Sequence, residues 1–511
     1  MINIDFLTLR AFFYENIDFI IGSRLQKIQQ PTRRDFILFF RNNGESKKLY
    51  INIYPQVYHI AFMDKTNEER RNIKIPKQPP MFCMLLRKYL EGAKVSDALV
   101  VENERILELH FETYDELSQK RMLCLAVELM GKHSNVILYD KETGIIIGCA
   151  HNVGSEKSRY RELQGGLKYI YPPGVNKGDD LNLSNELRLQ FQGLTSDKIN
   201  EYLAKTTFYP AICGDRYTLF AELLPDSVPQ NSVSEMLDNY YSAEQERINI
   251  KAEKTKLIEA ANSKLKKINT SISKISLLLK KRDNAQKYKL YGDILTANLY
   301  KKGDFQNNIE LFDYINNKNV IIELDETKTL NENAQRYYKL YNKSKITKER
   351  SEEMLSNLNI EREYLENVLY SIESSLILSD LEDIKAELGI QENIKKKQDR
   401  PIVDKLDIHG FDVYIGKNNK QNDYIVSKLA KDEDYWFHTR LCAGSHVLLK
   451  INGVEPDEGV IFECCKLARK FSSASQPSKV GVVYTRGKYL RKPPNAPLGY
   501  VTYKNEKEVL I

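Results

Sequence analysis

The sequence predicts a multidomain α+β protein: an N-terminal mixed α+β domain, a long antiparallel coiled-coil hairpin with a small tip domain, and a C-terminal α+β domain. Three observations carry this. A chain of 511 residues is too long for one hydrophobic core. Strand-type alternation and helical spacing alternate within the first 175 residues and again after residue 400. Between them lie two heptad-spaced apolar series separated by an insert of different composition.

Taken in order, IDFLTLRAFFYENIDFII is apolar at helical spacing and stops at Gly22. KKLYINIYPQVYHIAFM (47–63) has strand composition. In ILELHFE (106–112), Leu107, Leu109 and Phe111 alternate with Glu108, His110 and Glu112, which predicts a strand buried on one face only. NVILYDKETGIIIGC (135–149) reads as a hairpin turning at Lys141–Gly144. The N-terminal domain is expected over 1–178, a reduced helical segment over 179–207, and residues 208–240 are expected to pack back on the first domain.

Leu257, Ala261, Leu265, Ile268, Ile272, Ile275 and Leu279 form one seam; Leu355, Leu358, Arg362, Leu365, Leu369, Ile372 and Leu376 form a second. Together they predict a coiled-coil hairpin over 241–395, with a tip domain at about 290–335 that includes NVIIELD (319–325). A helix of about 45 residues reaches roughly 70 Å, a length suited to a large partner. A basic linker (391–401) then leads to a C-terminal domain over 400–511, with strands at DVYIG (412–416), DYIVSKL (423–429) and VGVVYT (480–485) and a helix at FECCKLARKFSSAS (462–475).

Composition excludes several classes. No apolar run approaches the ~20 residues that cross a bilayer, and the first residues lack the basic n-region of a signal peptide, so no membrane partner and a cytoplasmic location are expected. The seven cysteines form no CxxC pair and read as reduced thiols. Net charge is only +6, so any nucleic-acid surface must come from local clustering. Such a cluster exists. No acid occurs between Glu463 and Glu506, an interval holding nine Lys and Arg interleaved with Tyr484, Tyr489, Tyr500 and Tyr503. Cations release phosphate counterions and aromatic faces stack on unpaired bases, so this run favours RNA.

No P-loop or dinucleotide fingerprint is present. In DYWFHTRLCAGSHVLLK (434–450), His438 and His446 lack a nearby Cys or carboxylate at ligand spacing, and Ser445 beside His446 would point to the opposite strand face. No catalytic residue, metal or cofactor is expected. Trp436, Val447 and Leu448 are expected in the core. On chemistry alone, Glu104-Arg105 reads as a surface ion pair.

PPMFCMLLRKYLEG (79–92), MGKHSNVIL (130–138), YIYPPG (169–174), YGDILTANLYKKGD (291–304), NENAQRYYKLYNKSK (331–345), IGKNNKQNDY (415–424) and DYWFHTRLCAGSHV (434–447) occur in an order that resembles the NFACT family, in its bacterial RqcH-type branch, whose eukaryotic relatives include NEMF. The resemblance covers nearly the whole chain. It implies a ribosome quality-control factor that binds a large ribosomal subunit still carrying peptidyl-tRNA. Such a factor recruits alanyl-tRNA and directs template-free alanine tailing of the stalled chain for degradation. Peptide-bond chemistry stays with the ribosome, so the protein is not itself an enzyme. Implied partners are ribosomal RNA, the stalk-base protein, both tRNAs and a small S4-domain factor.

The family's Asp-Arg pair falls on Glu104 and Arg105, the acid being one methylene longer here, and a family Asp falls on Asp5. The tRNA-contacting set implied is Asp5, Glu104, Arg105, Lys132, His133, Ser134, Asn135 and Arg161. In the C-terminal domain the implied RNA-contacting set is Lys417, Asn418, Asn422, Asp423, His438, Arg440, Gly444, Ser445, His446, Arg486, Lys488, Arg491 and Lys492. Where the family has helix-hairpin-helix motifs, residues 183–206 leave room for about one.

Two rival readings are weaker. A glycosylase related to the family's N-terminal fold would need a Pro-Glu pair after Met, where this chain has Ile2 and Asn3. A fibronectin-binding surface adhesin would need an export signal.

Overall fold

A computed structural model describes residues 2–71, 73–114, 118–156, 158–173, 183–281, 285–300, 307–390, 401–440, 442–474 and 479–511. The boundary expected at 178–179 and residues 391–400 of the linker expected over 391–401 lie outside these residues. The chain divides into two compact units, Met1–Asn249 and Ile250–Ile511.

In the first unit, α1 (Phe6–Ile20) begins at Asp5, whose carboxylate accepts the Thr8 N–H at 2.8 Å. This is a side-chain N-cap, satisfying a donor the helix cannot. The chain turns at Gly22, φ +83°, a conformation that favours glycine. Then follow β1 (Arg24–Thr32), β2 (Asp35–Asn42), β3 (Glu45–Asn52), β4 (His59–Phe62), α2 (Lys65–Arg71), α3 (Met81–Leu90), β5 (Lys94–Val100), β6 (Ile106–Tyr114), β7 (Lys120–Glu128), β8 (Asn135–Asp140) and β9 (Ile146–Cys149). They form one nine-stranded sheet, ordered β4-β3-β2-β1-β5-β6-β7-β8-β9.

The turn between β8 and β9 is organised by Asp140, which accepts the Glu142 and Thr143 N–H groups, with Gly144 at φ +72°. One face of the sheet carries the main core, including Phe12, Leu86, Leu107, Leu109 and Phe111. The half-exposed strand expected over 106–112 is corrected here. Glu108 and His110 are 3% and 1% exposed. Residues 158–171 return over the second face, where Leu163 and Tyr169 pack with Cys124, Ile137 and Tyr139.

Next come α4 (Asn185–Gln190), α5 (Ser196–Ala204), β10 (Ala211–Cys213), β11 (Arg216–Thr218), β12 (Val228–Pro229) and the start of α6 (Val233–Lys281). The α4–α5 pair buries Leu187 and Phe191 in the main core, and Tyr217, Phe220, Met236 and Tyr241 join it as well.

The second unit holds the rest of α6, α7 (Ala285–Ala297), β13 (Asn308–Asp313), β14 (Lys318–Glu323), α8 (Leu330–Ser374) and α9 (Leu378–Glu387). Leu257, Ala261 and Ile268 of α6 meet Leu365, Val368 and Ile372 of α8. Lys254 Nζ donates to the Glu373 carbonyl at 2.7 Å, as antiparallel helices require. Leu376, expected in the second seam, lies beyond α8 and is 81% exposed. The helix ends at Ser374, and α9 supplies Leu381, Ile384 and Leu388 to the apolar stripe instead. At the far end the hairpin β13–β14 buries Ile309, Leu311 and Ile322 against Leu295 and Tyr337. The capping box of Thr329 and Glu332 fixes where α8 begins.

The chain continues through β15 (Asp404–Ile408), β16 (Phe411–Ile415), α10 (Asn419–Tyr424), β17 (Tyr435–Thr439), β18 (Val447–Leu449), α11 (Glu458–Lys470), β19 (Gly481–Arg486), β20 (Leu490–Arg491), β21 (Thr502–Tyr503) and β22 (Lys507–Leu510). A six-stranded sheet, β15-β16-β18-β17-β19-β22, carries α11 on one face. Residues 423–429, expected as a strand, are the end of α10 and a π turn over Ile425–Leu429. Asn418 caps this helix by accepting the Gln421 N–H, and buried Ile425 anchors it beneath Trp436. The helix expected from residue 462 starts at Glu458 because Asp457 caps it.

Candidate nucleic-acid interface

In the first unit, two turns come together at one end of the sheet. The β5–β6 turn presents Glu104 and Arg105; the β7–β8 turn presents Gly131–Asn135. They are joined through the Leu129 N–H, which donates to the Arg105 carbonyl at 2.9 Å. Tyr58 sits under both. Its hydroxyl accepts from Arg105 Nη1 at 3.3 Å, and its ring lies where a Cβ on Gly131 would be 3.7 Å away. Burial first, and the nearby Asp5 carboxylate, push the Tyr58 hydroxyl pKa up, while Arg105 opposes them. Among the described residues Arg105 Nε is buried without a partner and only Nη1 of the guanidinium is engaged, by Tyr58.

The sequence-expected residues therefore share one region but differ in access. Lys132 and His133 are exposed, and Glu104 and Arg105 are half-buried. Burial raises the Glu104 pKa, Arg105 lowers it and Glu128 adds to the rise. Asp5, Ser134 and Asn135 are buried and bonded internally. Asp5 also accepts the Ser184 N–H at 2.9 Å, Ser134 Oγ accepts the Met130 N–H at 2.8 Å, and Asn135 ties β8 to the His151 backbone. Arg161 forms a two-pronged pair with buried Glu128, at 2.7 and 2.5 Å, and Tyr169 completes that clip. Direct contact with an external partner is corrected for Asp5, Ser134, Asn135 and Arg161: their side chains hold the platform together.

In the C-terminal sheet, Trp436 packs on Ile425, Leu448 and Val483, as expected for a core residue. His438 stacks on its ring at 5.7 Å, and His446 meets both rings edge-on. Burial lowers the His438 pKa to about 4 and drives that of His446 well below the ordinary value. Ser445 and His446 are 3% and 4% exposed, which corrects their expected placement toward RNA. Asn422 accepts the His446 N–H at 3.0 Å, Asn418 is the α10 cap, and Asp423 accepts the Gly499 N–H. Gly444 does allow a close approach, but of protein. Its N–H donates to Asn367 of α8 at 3.2 Å, and a Cβ there would lie 2.9 Å from Ser472 Cβ.

The acid-free run is acid-free only along the chain. Arg486 pairs with Glu455 at 2.8 Å and Glu433 at 3.1 Å, and covers the Tyr435 ring at 4.3 Å. Lys488 meets Glu433 at 3.4 Å; Lys417 pairs with Asp404, Lys492 with Asp423, and Arg440 with Glu508. Arg491 is exposed and forms no ion pair among the described residues. Glu433, Glu455, Asp404 and Glu508 are exposed, so the pairs they make are weakly held, whereas Asp423 is half-buried.

Cross-strand register also brings together residues that sequence reading kept apart: Glu108, His110 and Cys124, with ligand-type atoms all within 4.8 Å of one another. No spacing in the sequence signals this, because His110 and Cys124 meet only through β6–β7 pairing. All seven cysteines are free. Among the described residues no helix is long and apolar enough to cross a membrane.

A sheet domain, a helical hairpin and a C-terminal α/β module bearing cationic side chains define a multidomain α+β protein. Comparison with known proteins then fixes the family. Residues 5–209 and 205–405 match the NFACT N-terminal and middle domains, and residues 405–505 match the NFACT protein RNA-binding domain. The chain belongs to the NFACT family. It is 31% identical to the Rqc2 homolog RqcH of Bacillus subtilis, covering 96% of this chain and 95% of that one. It is 29% identical to the Rqc2 homolog RqcH of Streptococcus pneumoniae, covering 96% and 94%. Among solved structures, the N-terminal part of a fibronectin/fibrinogen-binding protein from Streptococcus suis is 28% identical, with a TM-score of 0.41, covering 47% of this chain and all of that one.

Proposed function

We propose that this protein is a cytoplasmic ribosome quality-control factor. It binds large ribosomal subunits obstructed by peptidyl-tRNA, recruits alanyl-tRNA and directs template-free alanine addition to the stalled chain. The observation that carries this reading is the uninterrupted family match from residue 5 to 505, with near-complete coverage of RqcH relatives.

The parts suit the task. The C-terminal module offers Lys417, Arg440, Arg486 and Lys488, whose carboxylate partners are exposed, so phosphates can replace them with release of counterions. The paired helices supply reach, α8 alone running 45 residues, about 70 Å. Arg105, with uncommitted donors beside Tyr58, is poised to grip a phosphate or base edge of tRNA, with Lys132 and His133 flanking it. The protein selects and positions while peptide-bond formation stays with the ribosome. A small S4-domain protein and the stalk-base protein are the expected protein partners.

Sedimentation tests this. Purified protein mixed with large subunits carrying peptidyl-tRNA is expected to pellet with them, and more weakly with empty subunits. Equal failure with both would remove the basis of the proposal.

A further inference from the structure

The second face of the N-terminal sheet carries a buried group of side chains that tRNA and ribosome binding leave unused. Glu108 and His110 lie two residues apart on β6 and so share a face; Cys124 stands directly opposite His110 on β7. All three are fully buried, and their ligand-type atoms lie within 4.8 Å of each other. Glu108 Oε2 and His110 Nε2 are 3.1 Å apart. A tetrahedral zinc ion with bonds of about 2.0–2.3 Å spaces its ligands about 3.3–3.8 Å apart, so small side-chain shifts close this set around one ion.

We propose that Glu108, His110 and Cys124 bind a single divalent transition-metal ion, zinc by the character of the ligands, at a structural site in the N-terminal sheet. Charge supports the assignment. A carboxylate and a thiolate bring two negative charges to a neutral imidazole, which balances a divalent ion in a site that cannot hold net charge cheaply. The Tyr139 hydroxyl, 3.0 Å from Glu108 Oε1 and facing Cys124 across β7–β8, closes the fourth side. The three ligands stand on two adjacent strands, β6 and β7, so they are pre-positioned.

At neutral pH an ordinary thiol carries its proton, and Cys124 is fully buried opposite His110. Glu108 meets His110 at 3.1 Å and accepts the Tyr171 and Tyr139 hydroxyls at 2.6 and 3.0 Å. Binding therefore releases the thiol proton to solvent as the metal–sulfur bond forms. His110 Nδ1 is 2.9 Å from Lys141 Nζ and 3.4 Å from Asp97 Oδ2. Metal at Nε2 requires the proton on Nδ1. Exposed Lys141 must then swing away, and Asp97 accepts from the ring as the outer carboxylate common at metal-bound histidines.

The full chain, stripped with chelator and carrying C213S and C442S to remove its two half-buried thiols, would be titrated with zinc chloride against a chromogenic chelator and separately with cobalt chloride. One equivalent of zinc per chain, one proton released per ion and a cobalt–thiolate charge-transfer band are expected. C124S should abolish the band, and Asp97→Asn should weaken zinc 10- to 100-fold. A wild-type cobalt spectrum without a thiolate band overturns the proposal, whatever the variants do. So does zinc binding that C124S and H110Q leave unchanged.

Discussion

At the scale of single residues, Arg105 and Arg161 show why identity and role separate. Both are arginines near one end of the N-terminal sheet. Arg161 commits its donors to buried Glu128, whereas among the described residues Arg105 reaches only Tyr58 and keeps a buried Nε without a partner. Arg105→Ala should therefore leave the fold and subunit binding nearly intact while abolishing tail synthesis in a reconstituted reaction. Equal loss of binding and tailing would make Arg105 a structural residue. The histidines give a second prediction. His446 is buried and His438 half-buried, and packing holds both pKa values below the unfolded value of about 6.5. Between that value and about 4 the unfolded chain binds protons that the folded domain does not, so stability is complete above pH ~6.5 and falls as pH drops. The slope is at most about 1.4 kcal/mol per pH unit for each histidine. The urea midpoint of the C-terminal domain should fall between pH 7 and 5.5, and less so in His438→Gln. A midpoint that rises over this range contradicts the burial argument.

At the scale of elements, the long helices, the Gly22 turn and the β8–β9 hairpin were legible because each rests on local periodicity or turn chemistry. What could not be read were features made by cross-strand or through-space contact. Nothing in ILELHFE announces that residues 158–171 return over Glu108 and His110. The acidic partners of Arg486 and Arg440 come from residues 433, 455 and 508, distant along the chain. Segment 423–429 has strand composition, yet the Asn418 cap decides for helix. The rare residues of DYWFHTRLCAGSHV likewise form a packing knot: Trp436 under His438, Asn422 on the His446 backbone, and α8 against Gly444. Gly444→Ala would force a Cβ to 2.9–3.2 Å from Ser472, Thr439 and Phe471. It should destabilise the domain by about 1–3 kcal/mol, lowering its thermal midpoint. RNA affinity measured well below that midpoint should change little. A large affinity loss in a variant of normal stability would place Gly444 at the RNA itself.

For the whole molecule, the family match across both units makes the ribosome the central expectation, and it is the one most open to direct trial. The most direct measurement is the RNA recovered with a tagged full-length protein purified from growing cells. Sequencing of that RNA should show large-subunit ribosomal RNA in excess over small-subunit RNA, with alanine tRNA enriched over its cellular share. Recovery of neither large-subunit RNA nor any enriched tRNA would contradict the account.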